Sequence, residues 1–326
     1  MTAALHVTNG DSTDVAGTGL AERILVWRDV LHEGPVPAVP YDELRRIRAA
    51  FLTEAGAVTS SVRGSEFALG GFVERDETLA ANRDGAYVLW FEADLYCQLQ
   101  LVEIVARLAE LGVPAERITL ICIGEYPGIA GFGGLGQLRA EQLRELAGTA
   151  ACAPLTPAAL DLATRAWAAL RAPEPDGLAA IVAARLPELR FVGEAYDRLS
   201  REYPSNRDGL SLTERRILAA VAGGADIAET AFLGSAAREF RPYLGDTWSF
   251  AAMQRLARVP ASLLDAEVPV DRYTRLRLTE AGARVLAGDE DHVALNGIDR
   301  WIGGVHLHGH KVPWRWDEGS EVVRAA

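Results

Sequence analysis

Apolar residues along this chain fall into two alternating patterns. Residues 24–27, 86–91 and 118–123 are short, nearly continuous apolar runs, and residues 3–7 form a fourth; such runs predict strands buried on both faces. Between them, apolar positions recur three and four apart. Residues 41–55 (Leu44, Ile47, Phe51) and, more weakly, 66–81 predict helices, and residues 95–111 carry a stripe of Leu99, Val102, Val105, Ala106 and Leu108 that Gly112 ends. Residues 140–147 predict a further helix.

Strands that alternate with helices imply a parallel sheet, because parallel neighbours need crossover connections. The expectation over residues 1–150 is therefore an α/β domain with a Rossmann-like parallel sheet. Beyond 150 the pattern becomes helical, at 156–171 and 178–202, and residues 151–208 read as a helical linker region. Ser211 and Glu214 form a capping box for a helix over 212–222, another helix covers 250–258, residues 275–279 alternate as an exposed strand would, and Thr279 caps a helix that runs to Leu286. Helix, helix, strand and helix suggest a winged-helix-like module over about 209–290. It lies in a C-terminal domain, 209–326, whose β tail alternates over 301–317.

Ligands of open parallel sheets sit beyond the carboxyl ends of the strands, and this sequence concentrates its chemistry there. The first strand exits into Asn9, Gly10, Asp11 and Ser12; the second into Asp29, His32 and Glu33; the third into Glu92, Asp94 and Gln98; the fourth into Glu125 and Tyr126. Asp11, Glu33, Glu92 and Asp94, with Asp29, would converge in one cleft. There they suit general acid/base work or a hard divalent cation such as magnesium. The plainer expectation is that some of them cap helices and some pair with arginine. His32 is a candidate proton shuttle or a histidine that merely ties its loop. His6, inside a strand, reads as a core residue. Ser12 has no nucleophile elbow around it and reads as a cap.

Two glycine-bearing turns, Gly10–Asp11–Ser12 and 131–136, could hold a phosphate on backbone amides. Neither matches a nucleotide fingerprint, and a lid or tight turn is the favoured reading of the second. His306, His308 and His310 share one face of a strand, which invites a zinc reading. No carboxylate or cysteine stands at matching spacing. The 211–290 module holds ten arginines against eleven acidic residues, no excess for a DNA-binding face, so packing or dimerisation is its favoured role and nucleic acid is not favoured.

Four segments, HVTNGDS (6–12), WRDVLHEGP (27–35), WFEADLYCQLQ (90–100) and ALNGIDRWIGGVHL (294–307), together resemble an uncharacterised bacterial family known as the domain of unknown function 1835. The resemblance runs nearly the whole length. It implies that His6, Asn9, Gly10, Asp11, Asp29, Glu33, Gly34, Pro35, Trp90, Glu92, Asp94 and Gln98 lie in the family's signature segments, and it supplies no activity, substrate or cofactor.

Composition narrows the picture further. The chain has 326 residues, a net charge of −12 and Lys311 as its single lysine, the coding bias of a GC-rich genome; the acidic balance argues against a polyanion as main partner. Cys97, Cys122 and Cys152 form no CxxC pair and fit reduced thiols. With no leader-like start and no membrane-length apolar run, the expected location is the cytoplasm, away from membranes. The functional expectation is an enzyme acting on a small polar, phosphorylated or nucleotide-like ligand. Asp11, His32, Glu33, Glu92 and Asp94 would carry its chemistry, and Asn9, Gly10, Ser12, Asp29 and Gln98 would bind the ligand. The alternative is a ligand-sensing regulator, a homo-oligomer included, whose C-terminal module contacts DNA or a protein.

Overall fold

The computed structural model describes residues 4–55, 64–241 and 243–326. It is a mixed α/β protein whose contacts divide into two units. One runs to Tyr196 and includes Gly303–Val305; the other comprises Asp197–Ile302 and His306–Ala326.

In the first unit β1 (Leu5–Thr8), β2 (Arg23–Val26), β3 (Tyr87–Glu92) and β4 (Ile118–Ile123) run parallel. A short antiparallel strand, β5 (Cys152–Pro154), completes a five-stranded sheet in the order β2-β1-β3-β4-β5. β1 is an internal strand: Thr8 is level with Val26 on one side and with Trp90 on the other. The chain therefore leaves β1 toward one edge, returns, and continues toward the other edge from β3. The sequence gives no strand signal at β5, whose Cys-Ala-Pro composition is poor in β-formers.

The helices of this unit are α1 (Tyr41–Glu54), α2 (Gly64–Ala81), α3 (Leu95–Glu110), α4 (Ala140–Leu146), α5 (Pro157–Arg171) and α6 (Leu178–Val182). α7 (Val192–Ser200) carries the chain on into the second unit. Strand period separates two faces. Trp90, Ile121 and Ile123 pack with Leu135, Leu138, Leu143 and Leu146 around α4. Tyr87, Leu89 and Phe91 alternate with them and are fully buried on the other face, where α3 lies against β3. Twelve of the sixteen residues of α3 are buried, so it is an inner layer, with α5 packed over it.

That packing corrects the expected boundaries at 150 and 208. α5 buries Leu162, Ala166, Trp167 and Leu170, and it belongs to the first unit rather than to a linker. The helix expected over 178–202 is two helices, α6 and α7. Pro187 lies between them, and its missing N–H and fixed φ stop a continuous helix.

In the second unit α8 (Leu212–Ala222) starts at the expected capping box, with the Glu214 amide donating to Ser211 Oγ (3.2 Å) and the Ser211 amide to Glu214 Oε2 (2.9 Å). α9 (Ala228–Ala236) and α10 (Asp246–Arg258) follow, then an antiparallel hairpin of β6 (Leu264–Ala266) and β7 (Leu276–Leu278), then α11 (Glu280–Ala287), capped by Thr279. Ile217, Leu218, Met253, Leu256, Leu264, Leu276 and Val285 form their common core. After α12 (His292–Asn296), the alternating tail expected over 301–317 falls on three strands, β8 (Ile298–Ile302), β9 (Val305–Gly309) and β10 (Trp314–Asp317), and a further strand, β11 (Val322–Ala325), follows. Gly303, at φ +58°, and Pro313 interrupt the alternation. No helix among the described residues is long and apolar enough to cross a membrane.

The loop after β2 is organised by one side chain from α1. Arg48, 2% exposed, donates to Asp29 Oδ1 (2.7 Å) and to the carbonyls of Val30 (2.9 Å), Glu33 (2.7 Å) and Pro35 (3.3 Å). A buried carboxylate left without its partner is costly, so Arg48→Met should lower unfolding free energy by about 3–5 kcal/mol in urea titration. Adding Asp29→Asn should recover part of that loss. Equal stability of wild type and Arg48→Met would show that the pair does not hold this loop.

Candidate functional site

β1 and β3 end side by side, and the first residue beyond β1 faces the last of β3. Asn9 Nδ2 lies 2.6 Å from Glu92 Oε2 and 2.6 Å from Cys97 Sγ, and the Cys97 thiol is itself 2.6 Å from Glu92 Oε2. Asn9 is 9% exposed, and its Oδ1 has no hydrogen-bond partner among the described residues. This joint is the point where the sheet's connections change direction, the usual ligand position in such sheets.

The loop after β4 closes over the same carboxylate. The Leu135 amide donates to Glu92 Oε1 at 2.6 Å. Gly134 adopts φ +146°, and a Cβ there would stand 2.7 Å from Glu92 Oε1, so only glycine fits. The run 131–136 is thus an anchored turn, in keeping with the tight-turn reading. Asp94 is the N-cap of α3 and accepts the Cys97 amide at 3.0 Å. Gln98 ties the helix to β3 through the Glu92 carbonyl, at 2.6 Å.

Glu92, Asp94 and Cys97 offer ligand atoms within 4.8 Å of one another, the one such group of three found among the described residues. Burial, then the charge of Asp94, pushes Glu92 up to about 7. Burial also raises Asp94, and it lifts the Cys97 thiol well above its ordinary range with help from both carboxylates. No basic side chain among the described residues pairs with either acid.

In front of Asn9 lies a cleft of 1370 Å³. Asn9, Gly10, Asp11, Arg28 and Tyr96 line one side, and residues of α2, among them Phe67, Gly70, Phe72 and Arg75, line the other. Asp11 and Arg28 form an exposed fork, with Arg28 Nε and Nη2 at 3.0 and 2.5 Å from the two carboxylate oxygens. That pairing holds Asp11 below its usual range. The Tyr96 hydroxyl donates to the Asn9 carbonyl at 3.3 Å. Gly10 and Gly70 have open space where a side chain would stand, so the cleft reaches their backbone.

The cleft wall rests on a buried polar stack that sequence reading missed. Arg75 lies over the Trp27 ring (3.7 Å) and contacts Asp76 (3.1 Å) and Glu103 (3.5 Å). Trp27 Nε1 donates to Glu103 Oε2 at 2.8 Å, and Gln100 Nε2 to the Asp29 carbonyl at 2.8 Å. Polar residues at 98, 100 and 103 within the apolar pattern of α3 were the available signal.

The predicted residues therefore separate. Asn9, Glu92, Asp94 and Gln98 come together, and Cys97, read only as a reduced thiol, joins them. The spacing 92, 94, 97 across a strand end and the first helical turn was its signal. Asn9, Gly10, Asp11 and Asp29 line the cleft. The expected convergence of all five acids does not occur: Asp11 is neutralised by Arg28 and Asp29 by Arg48, while Glu33 and His32 are buried in the loop that Arg48 holds, His32 edge-on to Tyr96. Ser12 caps no helix; Asp14 accepts the amide of the next turn, at Gly17 (2.8 Å), and Ser12 sits under Gly136. Glu125 is exposed, and Tyr126 packs against the cluster around Trp90. His6 is a core residue as expected, accepting from Trp90 Nε1 at 3.0 Å. His306 and His308 lie near each other, 5.8 Å between ring centroids, but the tail histidines belong to no group of three close ligand atoms among the described residues. His306 stacks on Trp301 and meets Asp299 (2.7 Å), whereas His310 meets the Ala294 carbonyl (3.1 Å).

No family model and no curated protein matches the sequence.

Burial, against the pull of Arg75, raises Glu103 to about 7. Its folded pKa thus exceeds its unfolded value, so the folded chain holds an extra proton between about 4.5 and 7. The stabilisation is complete below about 4.5 and is lost as pH rises through about 7, an upper bound of about 3 kcal/mol. Urea unfolding of wild type and Glu103→Gln across this window should show a difference that shrinks in wild type's disfavour as pH rises. A difference independent of pH would contradict it.

Proposed function

We propose that the first unit is a Rossmann-like domain that binds a small polar molecule, phosphorylated or nucleotide-like, in the cleft beside β1. In this reading it acts on that molecule as an enzyme. The observation that carries the reading is Asn9. It lines the cleft, its amide touches Glu92 and Cys97, and its Oδ1 is buried without a partner among the described residues. Buried polar atoms are normally satisfied, and Asn9 Oδ1, on a residue of the cleft wall, is an exception among the described residues. Asn9 and the open backbone at Gly10 orient the molecule, and Glu92 with Asp94 supplies acid/base or cation-holding chemistry behind it. Membership of the domain of unknown function 1835 family is part of this proposal and adds no activity to it.

The second reading is a ligand-sensing regulator whose second unit is winged-helix-like. The order α8, α9, α10 and the β6–β7 hairpin, with the Ile227–Arg275 bridge beside β7, supports that architecture. Its arginines favour a protein partner or a second copy over DNA. Arg215, Arg216, Arg272, Arg275, Arg277 and Arg284 each meet an acid, which leaves little unneutralised charge for phosphates.

A thermal-shift panel of nucleotides, sugar phosphates and neutral sugars separates these ideas. At least one compound should raise the melting temperature of wild type, by an increment that grows with concentration and is absent in Asn9→Ala. No shift from any compound, or an equal shift in Asn9→Ala, would sink the cleft reading. Turnover that Glu92→Gln abolishes while binding persists marks an enzyme; loss of binding alone marks a regulator.

A further inference from the structure

We propose that Glu92, Asp94, Cys97 and Asn9 form a site for one thiophilic divalent cation of the zinc class. The proposal rests on the cleft reading above and names what its chemistry is built on.

Asp29 pairs with Arg48 (2.7 Å), Asp76 with Arg45 (2.8 Å), Glu103 with Arg75 (3.5 Å), Glu202 with Arg198 (2.7 Å) and Asp208 with Arg215 (2.9 Å). Each of these five carboxylates has an arginine within ion-pair distance, whereas the buried Glu214 accepts the Ser211 amide (2.9 Å) in the capping box of α8. Glu92 and Asp94 depart from the pattern, because two carboxylates and a thiol share one pocket with no basic side chain among the described residues. A divalent cation would supply the positive charge that no described side chain gives this group.

Asn9 completes the group. Its side chain is directed into the group, 2.6 Å from both Glu92 Oε2 and Cys97 Sγ, and its oxygen is buried and unpartnered among the described residues. Turning the amide over exchanges Nδ2 for Oδ1 and gives a fourth ligand atom in the same place. The set is then one sulfur and three oxygens. A thiolate selects zinc over magnesium, which keeps oxygen ligands and octahedral geometry. Loading would spread these atoms by rotation of the Asn9 and Glu92 side chains. Asn9, on the cleft wall, is the side from which the cation would be reached.

The test uses the full chain stripped with a chelator and titrated with cobalt(II), zinc or magnesium. One cobalt per chain should bind with the intense near-ultraviolet band of a thiolate–cobalt bond, zinc should displace it, and magnesium should not. Cys97→Ser and Glu92→Gln, checked for folding by circular dichroism, should each weaken zinc by more than about 100-fold, beyond the loss of an outer-shell contact. Cys122→Ala and His308→Ala should leave it unchanged. The proposal is overturned if cobalt binds without the thiolate band, if Cys97→Ser keeps full affinity, if the histidine variant is the one that loses it, or if no cation binds. Ligand shifts that persist without any bound cation leave the cleft reading standing. A bound cation with no ligand shift leaves the metal site and removes the cleft reading.

Discussion

The loop after β2 depends on a single guanidinium. A stretch with the sequence WRDVLHEGP has no regular backbone pairing of its own, so its carbonyls need donors from elsewhere. Arg48 supplies them at three carbonyls and neutralises Asp29 in the same gesture. An arginine can do this because its planar fork carries five donors and stays charged when buried; lysine could not reach the same set. With the loop fixed, Trp27 and Asp29 face α3, and the cleft wall beside Asn9 has a rigid floor.

Two kinds of buried polarity then divide the first unit. Under the cleft, Arg75, Asp76, Glu103 and Arg45 form a connected group of two arginines and two acids covered by aromatic rings. At the junction of β1 and β3, Asn9, Glu92, Asp94 and Cys97 form a group that hydrogen bonds satisfy only in part and that no arginine among the described residues compensates. The first kind specifies packing, and the second is the group on which the proposed chemistry rests. Their separation explains why acids that look alike in sequence have different parts to play.

Much of this is legible in the amino-acid sequence. Buried parallel strands advertise themselves as continuous apolar runs, and 87–92 and 118–123 were recognisable for that reason. The exits of the strands were equally visible, since turn residues and acids follow them directly. Cross-chain pairing was not. Nothing in the sequence near Asp29 says that Arg48 neutralises it, or that Arg28 reaches back to Asp11, because such partners are set by how α1 and the β2 loop meet in space. Cys97 was hidden for the opposite reason: a cysteine in an apolar helix reads as a small hydrophobe until the strand end beside it is located. The break near Pro187 was available and was overridden by the surrounding helical composition.

α3 has a further consequence. Its residues 98, 100 and 103 bind, in turn, the end of β3, the loop after β2 and the Trp27 ring, while its first turn carries Asp94 and Cys97. These contacts occupy different heights along one rigid rod that is enclosed on nearly every side. Sliding or turning the rod by one residue would misalign all of them together, with no intermediate setting that keeps half. The helix therefore acts as an indexing pin: the cleft and the cysteine cluster have a common alignment, and a disturbance at either one is felt at the other as a change of register.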